Sequence, residues 1–213
     1  MPQSRRYKKK KSAGKAILAW IIVLAILAAG VFVFVSVFYE DAKKKLDEMN
    51  YPRTYSTYVE KAAKDYDLDP ALIYAVIHTE SGFDPKAESG VGAKGVMQMM
   101  PSSFEWLQEQ RGCAGQYTED DLFDPEICID YGSYLLKYFY DYYGTERSAI
   151  AAYNAGFVVS DWLNDTNYSS DGKNLDSIPY PETENYVDKV ESAKEMYICL
   201  LYTSPSPRDV EES

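Results

Sequence analysis

The chain has 213 residues, which is enough for one ordinary domain with an appendage and too few for two large domains. Hydrophobic residues make up 46% of it and aromatic residues 15%, a composition that excludes wholesale disorder. The formal net charge is −11, but residues 1–15 carry seven bases and no acid, and the remainder carries 15 bases against 33 acids. A body this acidic is not held to nucleic acid by counterion release, so a nucleic-acid-binding function is excluded for it.

An uncharged apolar segment follows the basic arm. Residues 16–38 (AILAWIIVLAILAAGVFVFVSVF) contain no charged side chain, and a helix of this length spans a hydrocarbon core of about 30 Å. A cleaved signal peptide with residues 28–30 as its cleavage site is the alternative, but apolar sequence continues for eight residues beyond that point. We therefore favour a single-pass transmembrane helix in the cell membrane. The bases of residues 1–15 predict a cytoplasmic N-terminus, with everything after Tyr39 on the outside.

Residues 39–54 are charged or polar and predict a short helical stalk, and a compact domain is predicted from Tyr55 onward. Its first signals are two patterns typical of capping boxes at helix starts, in which a hydroxyl residue precedes a glutamate by three positions. These two pairs are Thr57 with Glu60 and Ser102 with Glu105. Each pair predicts that a helix begins there.

Asp–Pro pairs at 69–70 and 124–125 predict an N-cap followed by a first-turn proline. Two shorter helices are predicted across 146–163, a polar loop across 164–178 and a last helix from about Pro181. The glycines predicted to end helices are Gly112 and Gly144. No stretch alternates as a β-strand does, so the sequence predicts an all-α domain.

The end of the chain differs in character from the rest. Residues 199–209 (CLLYTSPSPRD) back-translate to a nucleotide sequence that resembles the transposon-end adapter of sequencing libraries read in frame, and residues 210–213 suit the bases that follow it. We expect residues 199–213 to be an adapter artefact that interrupts the natural reading frame near Ile198. A genuine proline-rich tail is the alternative.

Without this tail, two cysteines remain in a domain predicted to lie outside the membrane, where oxidation is permitted. A bridge between Cys113 and Cys128 would close a loop of about 15 residues and stabilise the domain by about 3 kcal/mol. Two free buried thiols are the alternative, and we favour the disulfide. With one histidine and no spacing typical of metal ligands, the sequence predicts neither a metal site nor a cofactor.

One carboxylate lies on a helix face where apolar side chains are expected. Positions 72, 73, 76 and 77 are apolar with a helical period, and Glu80 continues the same stripe. Desolvation there would favour the protonated form and raise the pKa of Glu80, as a general acid at neutral pH requires. A glutamate at the frayed helix end, bonded to water or to a backbone amide, is the alternative. His78 lies on the opposite side of this helix and is predicted to be a surface residue.

Four motifs resemble, in their order, those of a known enzyme family. ESGF at 80–83 and GAKGVMQMMP at 92–101 are followed by AYNAG at 152–156 and IPYPETENY at 178–186. Together they resemble the signature of lytic transglycosylases with a soluble-lytic-transglycosylase (SLT) catalytic domain, over residues 55–198. The resemblance implies a lysozyme-like helical catalytic domain, preceded here by one transmembrane helix. It also implies cleavage of the β-1,4 bond between N-acetylmuramic acid and N-acetylglucosamine in peptidoglycan.

The resemblance implies roles for individual residues as well. Glu80 would be the single catalytic acid and base, which protonates the glycosidic oxygen and then takes the proton of the muramic acid C6 hydroxyl, so that a 1,6-anhydro ring closes without water. Asp84 is interpreted as a cap or turn residue because Gly82 and Pro85 indicate that the helix has ended before it. The residues implied to bind or orient the substrate are Ser81, Ser89, Gln98, Met100, Tyr153, Asn154 and Glu182.

Two other functions stay open at this point. A hydrolytic muramidase on the same fold would use water in place of the C6 hydroxyl, and a wall-binding domain would have lost catalysis. Intact Glu80, Gln98 and Tyr153 argue against the second. The expected partners are peptidoglycan glycan strands and, through residues 16–38, the lipid bilayer, with cell-wall synthesis or division machinery as a further candidate. Because the domain is acidic, its affinity for glycan strands must come from stacking and hydrogen bonds rather than from charge.

Overall fold

A computed structural model describes residues 13–202 of the chain. Within that range no β-strand forms, and the prediction of an all-α protein is confirmed. The α-helices are α1 (Ala13–Asn50), α2 (Ser56–Tyr66), α3 (Pro70–Ser81), α4 (Pro101–Gln110), α5 (Pro125–Tyr143), α6 (Glu146–Ala155), α7 (Val159–Asn164) and α8 (Pro181–Tyr202), and two 3-10 helices cover Glu119–Phe123 and Gly156–Val158. The chain divides into two compact units, and the boundary along the sequence lies between Asn50 and Tyr51.

The first unit is the single helix α1. It contains the apolar segment predicted at 16–38 and continues without a break to Asn50, through most of the predicted stalk. By length and composition α1 can cross a membrane. The hydroxyl of Ser36 donates a hydrogen bond to the carbonyl oxygen of Phe32 at 2.8 Å, so this polar group is satisfied within the helix, as a hydrocarbon environment requires. Most of the predicted basic arm, residues 1–12, lies outside the described residues.

The second unit is built around α3, whose residues 71–77 are all buried. Helix α3 packs against α8 and α2, α2 packs against α5, and α6 bridges α5 and α8. The sequence predicted a single apolar stripe on α3, but Tyr74 and Ala75 on its other side are buried as well. The reason is α8, where the ring of Tyr197 stacks on that of Tyr74 at 5.1 Å between centroids. Helix α3 is therefore a central helix enclosed on all sides.

The Asp–Pro signals mark helix starts as predicted. Asp69 accepts a hydrogen bond from the Ala71 amide at 2.9 Å, and Asp124 accepts one from the Glu126 amide at 2.8 Å, in each case with proline at the first helical position. Gly144 ends α5 in the left-handed conformation, with a φ of 76°. These local signals are confirmed because the capping atoms lie within two residues of one another along the chain.

The two predicted capping boxes are wrong. Helix α2 begins at Ser56, so Thr57 already lies in its first turn, and α4 begins at Pro101 with Met100 as its N-cap, so Ser102 is inside the helix. Both N-caps therefore lie two residues before the predicted ones. For α4 the physical reason is the proline, whose fixed φ and missing N–H suit the first helical position.

His78 is half-buried, whereas the sequence predicted a surface residue. Its ring lies 4.9 Å from that of Tyr51 and 6.2 Å from that of Tyr197. Its Nδ1 atom is buried and has no hydrogen-bond partner among the described residues, and burial lowers the pKa of the imidazole. The side of α3 that the pattern indicated as solvent-facing is thus covered by α8 and by the first residue of the second unit.

Helix α8 begins at Pro181, as predicted, and continues past Ile198 to Tyr202. Leu200 is buried in the second unit. The first four residues of the segment 199–213 therefore extend the helix and add to its packing. Residues 203–213 lie outside the described residues, and the adapter origin of the whole segment stays a prediction.

Candidate active site

Glu80 lies in the last turn of α3, at the end of the apolar stripe. Val76 and Ile77, which precede it, are fully buried, and Glu80 itself is half-buried. The helix ends directly afterwards because Gly82 adopts the left-handed conformation (φ 60°) and its amide donates to the carbonyl oxygen of His78. The carboxyl group is thus held at the end of a buried helix, at the point where the main chain turns away.

A tyrosine from α8 bonds to this carboxyl group. The hydroxyl of Tyr186, 106 residues further along the chain, donates a hydrogen bond to Oε1 of Glu80 at 2.7 Å. Burial raises the pKa of Glu80 to about 7, while the bond from Tyr186 acts in the opposite direction because it stabilises the ionised form. Near neutral pH Glu80 can therefore both hold a proton and release it, which is what one residue acting as acid and then base must do.

A second tyrosine approaches the same carboxyl group from α6. The hydroxyl of Tyr153 donates a hydrogen bond to the carbonyl oxygen of Met97 at 2.9 Å. Burial, and then the negative charge of Glu80, raise the pKa of both Tyr153 and Tyr186. The thiol of Cys128 accepts a bond from the Met97 amide at 3.4 Å, and burial raises its pKa to about 12. Glu80 thus has two phenols and a thiol as neighbours, all of them uncharged at neutral pH.

The loop between α3 and α4 is fixed to the end of α3. The hydroxyl of Ser81 donates to the carbonyl oxygen of Val96 at 2.8 Å, which ties the residue next to Glu80 to the far side of the loop. Ser89 lies within the loop, where its side-chain oxygen accepts a bond from the Ala93 amide at 2.9 Å. Both serines that the resemblance implies to bind or orient the substrate therefore shape the loop that borders Glu80.

The same loop depends on Gln98 and Gly95. Gln98 occupies the left-handed region (φ 47°), and its side-chain nitrogen donates to the carbonyl oxygens of Ala87 and Gly95, both at 3.0 Å. A Cβ atom on Gly95 would lie 2.0 Å from the carbonyl oxygen of Leu122. Only glycine fits where the loop passes the 3-10 helix, so this position of the second motif has a packing reason independent of any substrate.

Three of the residues implied to bind substrate are exposed: Met100 at the start of α4, Asn154 near the end of α6 and Glu182 in the first turn of α8. The side-chain oxygen of Asn154 accepts a bond from the Thr183 hydroxyl at 2.8 Å, which joins α6 to the start of α8. Within residues 13–202, neither a hydrogen bond nor an ion pair connects Met100 or Glu182 to Glu80. The structure brings Tyr153 to Glu80, whereas the roles of Met100 and Glu182 rest on the resemblance.

Tyr186 is the residue that the sequence analysis missed. It closes the fourth motif and lies four residues after Glu182, one helical turn away on α8. The available signal was an aromatic hydroxyl at the end of a motif that also contains an implied site residue. Nothing in the local pattern places that hydroxyl against a carboxyl group on α3.

The predicted disulfide between Cys113 and Cys128 is wrong, because both residues are free thiols. The sulfur of Cys128 is buried beside the Met97 amide, and that of Cys113 lies 3.4 Å from the hydroxyl of Tyr131. Sequence spacing predicts the length of the loop that a bridge would close, but not the direction of either Sγ atom. The alternative of two free thiols is the one that the structure shows.

Asp84 is a turn residue, as predicted: its carboxylate is exposed and accepts a hydrogen bond from the Lys86 amide at 2.9 Å. Among residues 13–202, no group of three or more His, Cys, Asp or Glu side chains is arranged to hold a metal ion. The environment of Glu80, a partly buried carboxyl group with a raised pKa and a phenol donor, supports proton transfer.

Comparison with known proteins points to one family. The protein-family model described as transglycosylase SLT domain matches residues 57–175, which are more than half of the chain. The soluble lytic murein transglycosylase of Escherichia coli K12 is 30% identical over 162 residues, which are 75% of this chain and 25% of that protein. The membrane-bound lytic murein transglycosylase C of Actinobacillus succinogenes is 30% identical over 167 residues, which are 68% of this chain and 47% of that protein. The chain thus spans a quarter to about a half of the length of these relatives.

A solved structure shares the fold. The lytic transglycosylase Slt of Pseudomonas aeruginosa, solved as an inactive Glu→Gln mutant, matches with a TM-score of 0.64 and 30% identity, over 75% of this chain and 26% of that one. The lysozyme-like helical fold that the motifs implied is thereby confirmed. The family match over residues 57–175 includes Glu80, the loop that follows it and Tyr153. The chain belongs to the transglycosylase SLT domain family.

Proposed function

We propose that this chain is a membrane-anchored peptidoglycan lytic transglycosylase. It cleaves the β-1,4 bond between N-acetylmuramic acid and N-acetylglucosamine without water and leaves a 1,6-anhydro-N-acetylmuramic acid end. Membership of the SLT family supports the class of reaction. The observation that carries the proposal is the environment of Glu80, in which burial raises the pKa of the carboxyl group to about 7 and one phenol bonds to it.

The two chemical steps use the two protonation states of Glu80. First, the protonated carboxyl group gives its proton to the glycosidic oxygen, the bond between that oxygen and C1 breaks, and N-acetylglucosamine leaves as an alcohol. The 2-acetamido group of the substrate stabilises the positive charge at C1, so a second carboxylate is not required. Next, the Glu80 carboxylate takes the proton of the C6 hydroxyl of the same N-acetylmuramic acid, and that oxygen bonds to C1. Glu80 regains its proton and no water is consumed.

Tyr186 stabilises the ionised form of Glu80 that exists between these two steps. Its hydroxyl donates to Oε1, so the hydrogen bond becomes charge-assisted and stronger when Glu80 ionises. The bond also leaves Oε2 as the oxygen that gives and receives the proton. In the Pseudomonas aeruginosa relative one Glu→Gln substitution gives an inactive protein, which supports an essential glutamate in the proposed reaction.

The remaining site residues bind and orient the glycan strand. Ser81 and Ser89 hold the loop beside Glu80, and the hydrogen bond that the Thr183 hydroxyl donates to Asn154 joins α6 to the start of α8. Tyr153 and Asn154 position the N-acetyl sugar next to Glu80. The further residues that line the sugar subsites are Gln98, Met100 and Glu182.

Helix α1 anchors the enzyme to the cell membrane. It is long and apolar enough to span the bilayer, and a membrane-bound lytic transglycosylase is among the relatives. The seven bases of residues 1–15 face the cytoplasm, and the domain from Tyr51 onward lies on the side where peptidoglycan is found. Tethering raises the effective concentration of the enzyme at nearby wall, where the cell-wall synthesis or division machinery is a candidate partner.

Mass spectrometry of products released from purified peptidoglycan tests the reaction. The full chain in detergent micelles should release muropeptides that are one water molecule lighter than the products of hydrolysis. Glu80→Gln should lower the rate by about 10²- to 10⁴-fold, the usual range for loss of a general acid. Asp84→Asn changes a carboxyl group four residues away in an exposed turn, so this matched control should give the wild-type products at the wild-type rate.

Two other results would overturn the proposal. Products with ordinary reducing ends would identify a hydrolytic muramidase, for which a carboxylate that activates water would have to be found. A folded chain that binds glycan strands and releases no product would be a wall-binding domain without catalysis.

A further inference from the structure

A cluster of aromatic side chains lies at the surface outside the Glu80 site. It comprises Trp106 on α4, Tyr138 and Tyr142 on α5, and Phe157 in the 3-10 helix after α6, and we call these four residues the aromatic patch. Trp106 and Phe157 lie edge-on to Tyr138, at 5.0 Å and 6.2 Å between ring centroids. Tyr142 stacks on Tyr138 at 6.3 Å and lies 5.8 Å from Phe157. Three separate segments thus contribute to one continuous aromatic surface.

The aromatic patch is substantially open to solvent. The exposed fraction is 58% for Tyr142 and 49% for Phe157, and Trp106 and Tyr138 are half-buried. Phe157 rests on the buried ring of Phe139 at 5.4 Å. Contiguous exposed rings are unfavourable in water, and such a surface marks an interaction site, whereas single exposed aromatic residues are ordinary.

The backbone beneath the patch is held in place. The hydroxyl of Tyr143 bonds to the carbonyl oxygen of Phe157 at 3.5 Å and to the hydroxyl of Ser160 at 3.1 Å. The 3-10 helix that carries Phe157 is therefore fixed to α5. A ligand of the patch would meet rings that are already positioned, which reduces the entropy lost on binding.

We call the proposed substrate-binding site around Glu80, with Met100 and Asn154 among its residues, the proposed cleft. Two chain segments lead directly from it to the patch. Helix α4 begins after Met100, and Trp106 lies six residues further on, about 9 Å along the helix axis. Phe157 follows Asn154 by three residues, so their Cα atoms are at most about 11 Å apart. Met100 and Asn154 are both exposed residues of the proposed cleft, so these two short segments connect the proposed cleft to the patch.

The charges near the patch disfavour an anionic surface as its occupant. Exposed acidic residues on the helices that surround the patch include Glu105, Glu109 and Asp161. Lys137 is paired with Asp141 at 2.6 Å, so this pair adds no net charge there. A sugar ring needs no charge, because its C–H groups pack against the electron-rich face of an aromatic ring. A glycan strand fits this surface better than a bilayer that contains anionic lipids.

We propose that the aromatic patch binds the peptidoglycan glycan strand beyond the sugars that the cleft holds. This rests on the proposed function, because the occupant is the same polymer that is cleaved at Glu80. A strand long enough to leave the cleft past Met100 and Asn154 stacks its next sugars on Trp106, Tyr142 and Phe157. Affinity therefore increases with strand length, and the increase depends on the rings.

Binding of peptide-free glycan strands of graded length tests the proposal. The full chain is held in lipid nanodiscs and carries Glu80→Gln, so that strands are not cleaved during the measurement. In this background, Tyr142→Ala combined with Phe157→Ala should reduce the preference for long over short strands, expressed as a ratio of Kd values, by about tenfold.

Two further variants distinguish the effect of the rings on binding from their effect on folding. Phe157→Leu keeps the apolar contact with Phe139 and removes the ring, so it should lose part of the preference while its thermal unfolding stays close to that of the parent. Tyr140→Ala removes a ring that is exposed on the same helix but lies outside the patch, and it should leave the preference unchanged.

An unchanged length preference in the folded double variant would overturn the proposal, and so would the absence of any preference in the parent. In a Trp20→Phe background, quenching of tryptophan fluorescence by brominated nanodisc lipids that the patch variants abolish would assign the patch to the bilayer instead. Product release by the unmutated chain is measured in parallel. Ring-dependent binding without product would leave the patch assignment standing and end the transglycosylase proposal.

Discussion

Two carboxyl groups of the same domain have pKa values shifted in opposite directions. Burial raises the pKa of Glu80, at the end of α3, to about 7. Hydrogen bonds from the backbone and side chain of Asn174, and from the backbone of Lys173, lower the pKa of Asp171, in the loop before α8, to about 2. The contrast shows that burial and the available hydrogen-bond donors decide whether a carboxyl group keeps its proton.

Burial of Glu80 and the supply of hydrogen-bond donors at Asp171 together explain the difference. Asp171 lies in a loop, where the amides of Lys173 and Asn174 are available and both reach its Oδ1 atom at 2.8 Å. Glu80 lies at the end of a helix whose amides are already bonded within the helix, so its donor is a single phenol from another element, Tyr186. A buried helix end with one added donor therefore produces a weak acid suited to proton transfer, and an exposed loop produces a permanent anion.

Glu80→Gln gives the largest expected change in stability. For wild type, the stabilising effect of the protonated carboxyl group is complete below its ordinary pKa of 4.5 and is lost as the pH rises through about 7, because the folded state holds the proton more tightly. A pKa shift of this size corresponds to a loss of about 3 kcal/mol in the free energy of unfolding at pH 8. Glutamine has no proton to lose, so the Tm advantage of the variant over wild type should grow from pH 5 to pH 8.

Thermal unfolding of both proteins in detergent, followed by tyrosine fluorescence, measures this difference. Asp84→Asn is the control, because its carboxyl group is exposed and its effect on Tm should not grow over the same range. A Tm difference for Glu80→Gln that is constant with pH would contradict the buried environment of the carboxyl group.

Tyr186→Phe should change the pH dependence of catalysis. The hydroxyl of Tyr186 stabilises ionised Glu80, so its removal raises the pKa of Glu80 further, and the alkaline limb of the profile of kcat/KM against pH should move upward from about 7. The rate at the optimum should fall by about tenfold, as expected for a lost hydrogen bond to a charged group. Tyr197→Phe is the matched control on the same helix: its hydroxyl donates to the carbonyl oxygen of Pro52, so this change should not move the limb. A downward shift in Tyr186→Phe would contradict the assigned role.

Local helix geometry accounts for what could be predicted of this site. The position of Glu80 follows from the 3.6-residue period, and the starts of α3 and α5 follow from Asp–Pro pairs whose capping bonds span two residues. The same reasoning predicted the direction of the pKa shift, since a carboxyl group that continues an apolar stripe must be desolvated.

Contacts between distant segments account for what could not be predicted. Tyr186 reaches Glu80 from a helix 106 residues away, and the burial of His78 depends on Tyr51 and α8. The free thiol of Cys128 results from packing against the loop at Met97, which spacing along the chain does not encode. Each of these features depends on how α8 and the loop pack against α3, and no local sequence pattern predicts that packing.

Tyr153→Phe tests whether the two site tyrosines have different tasks. Its hydroxyl donates to the carbonyl oxygen of Met97 and not to the carboxyl group of Glu80, so its removal should cost about 1 kcal/mol of stability and leave the alkaline limb of the pH profile in place. Denaturant unfolding together with the same pH profile provides the measurement. A limb displaced as far as in Tyr186→Phe would show that Tyr153 also stabilises the ionised carboxyl group.

Asp171→Asn gives the smallest expected effect and the opposite dependence on pH. Because hydrogen bonds hold the pKa of Asp171 below its ordinary value of 3.8, its stabilising effect is present above that pH and is lost as the pH falls through about 2. The variant should therefore have a slightly lower Tm than wild type at pH 7, and this difference in Tm should become smaller by pH 3. For Glu80→Gln, by contrast, the difference in Tm from wild type grows toward alkaline pH. The effect stays small because the carboxylate is exposed and solvent screens its charge. If the difference in Tm between Asp171→Asn and wild type grew on acidification, the loop amides would not stabilise the anion. The contrast with Glu80 would then rest on burial alone.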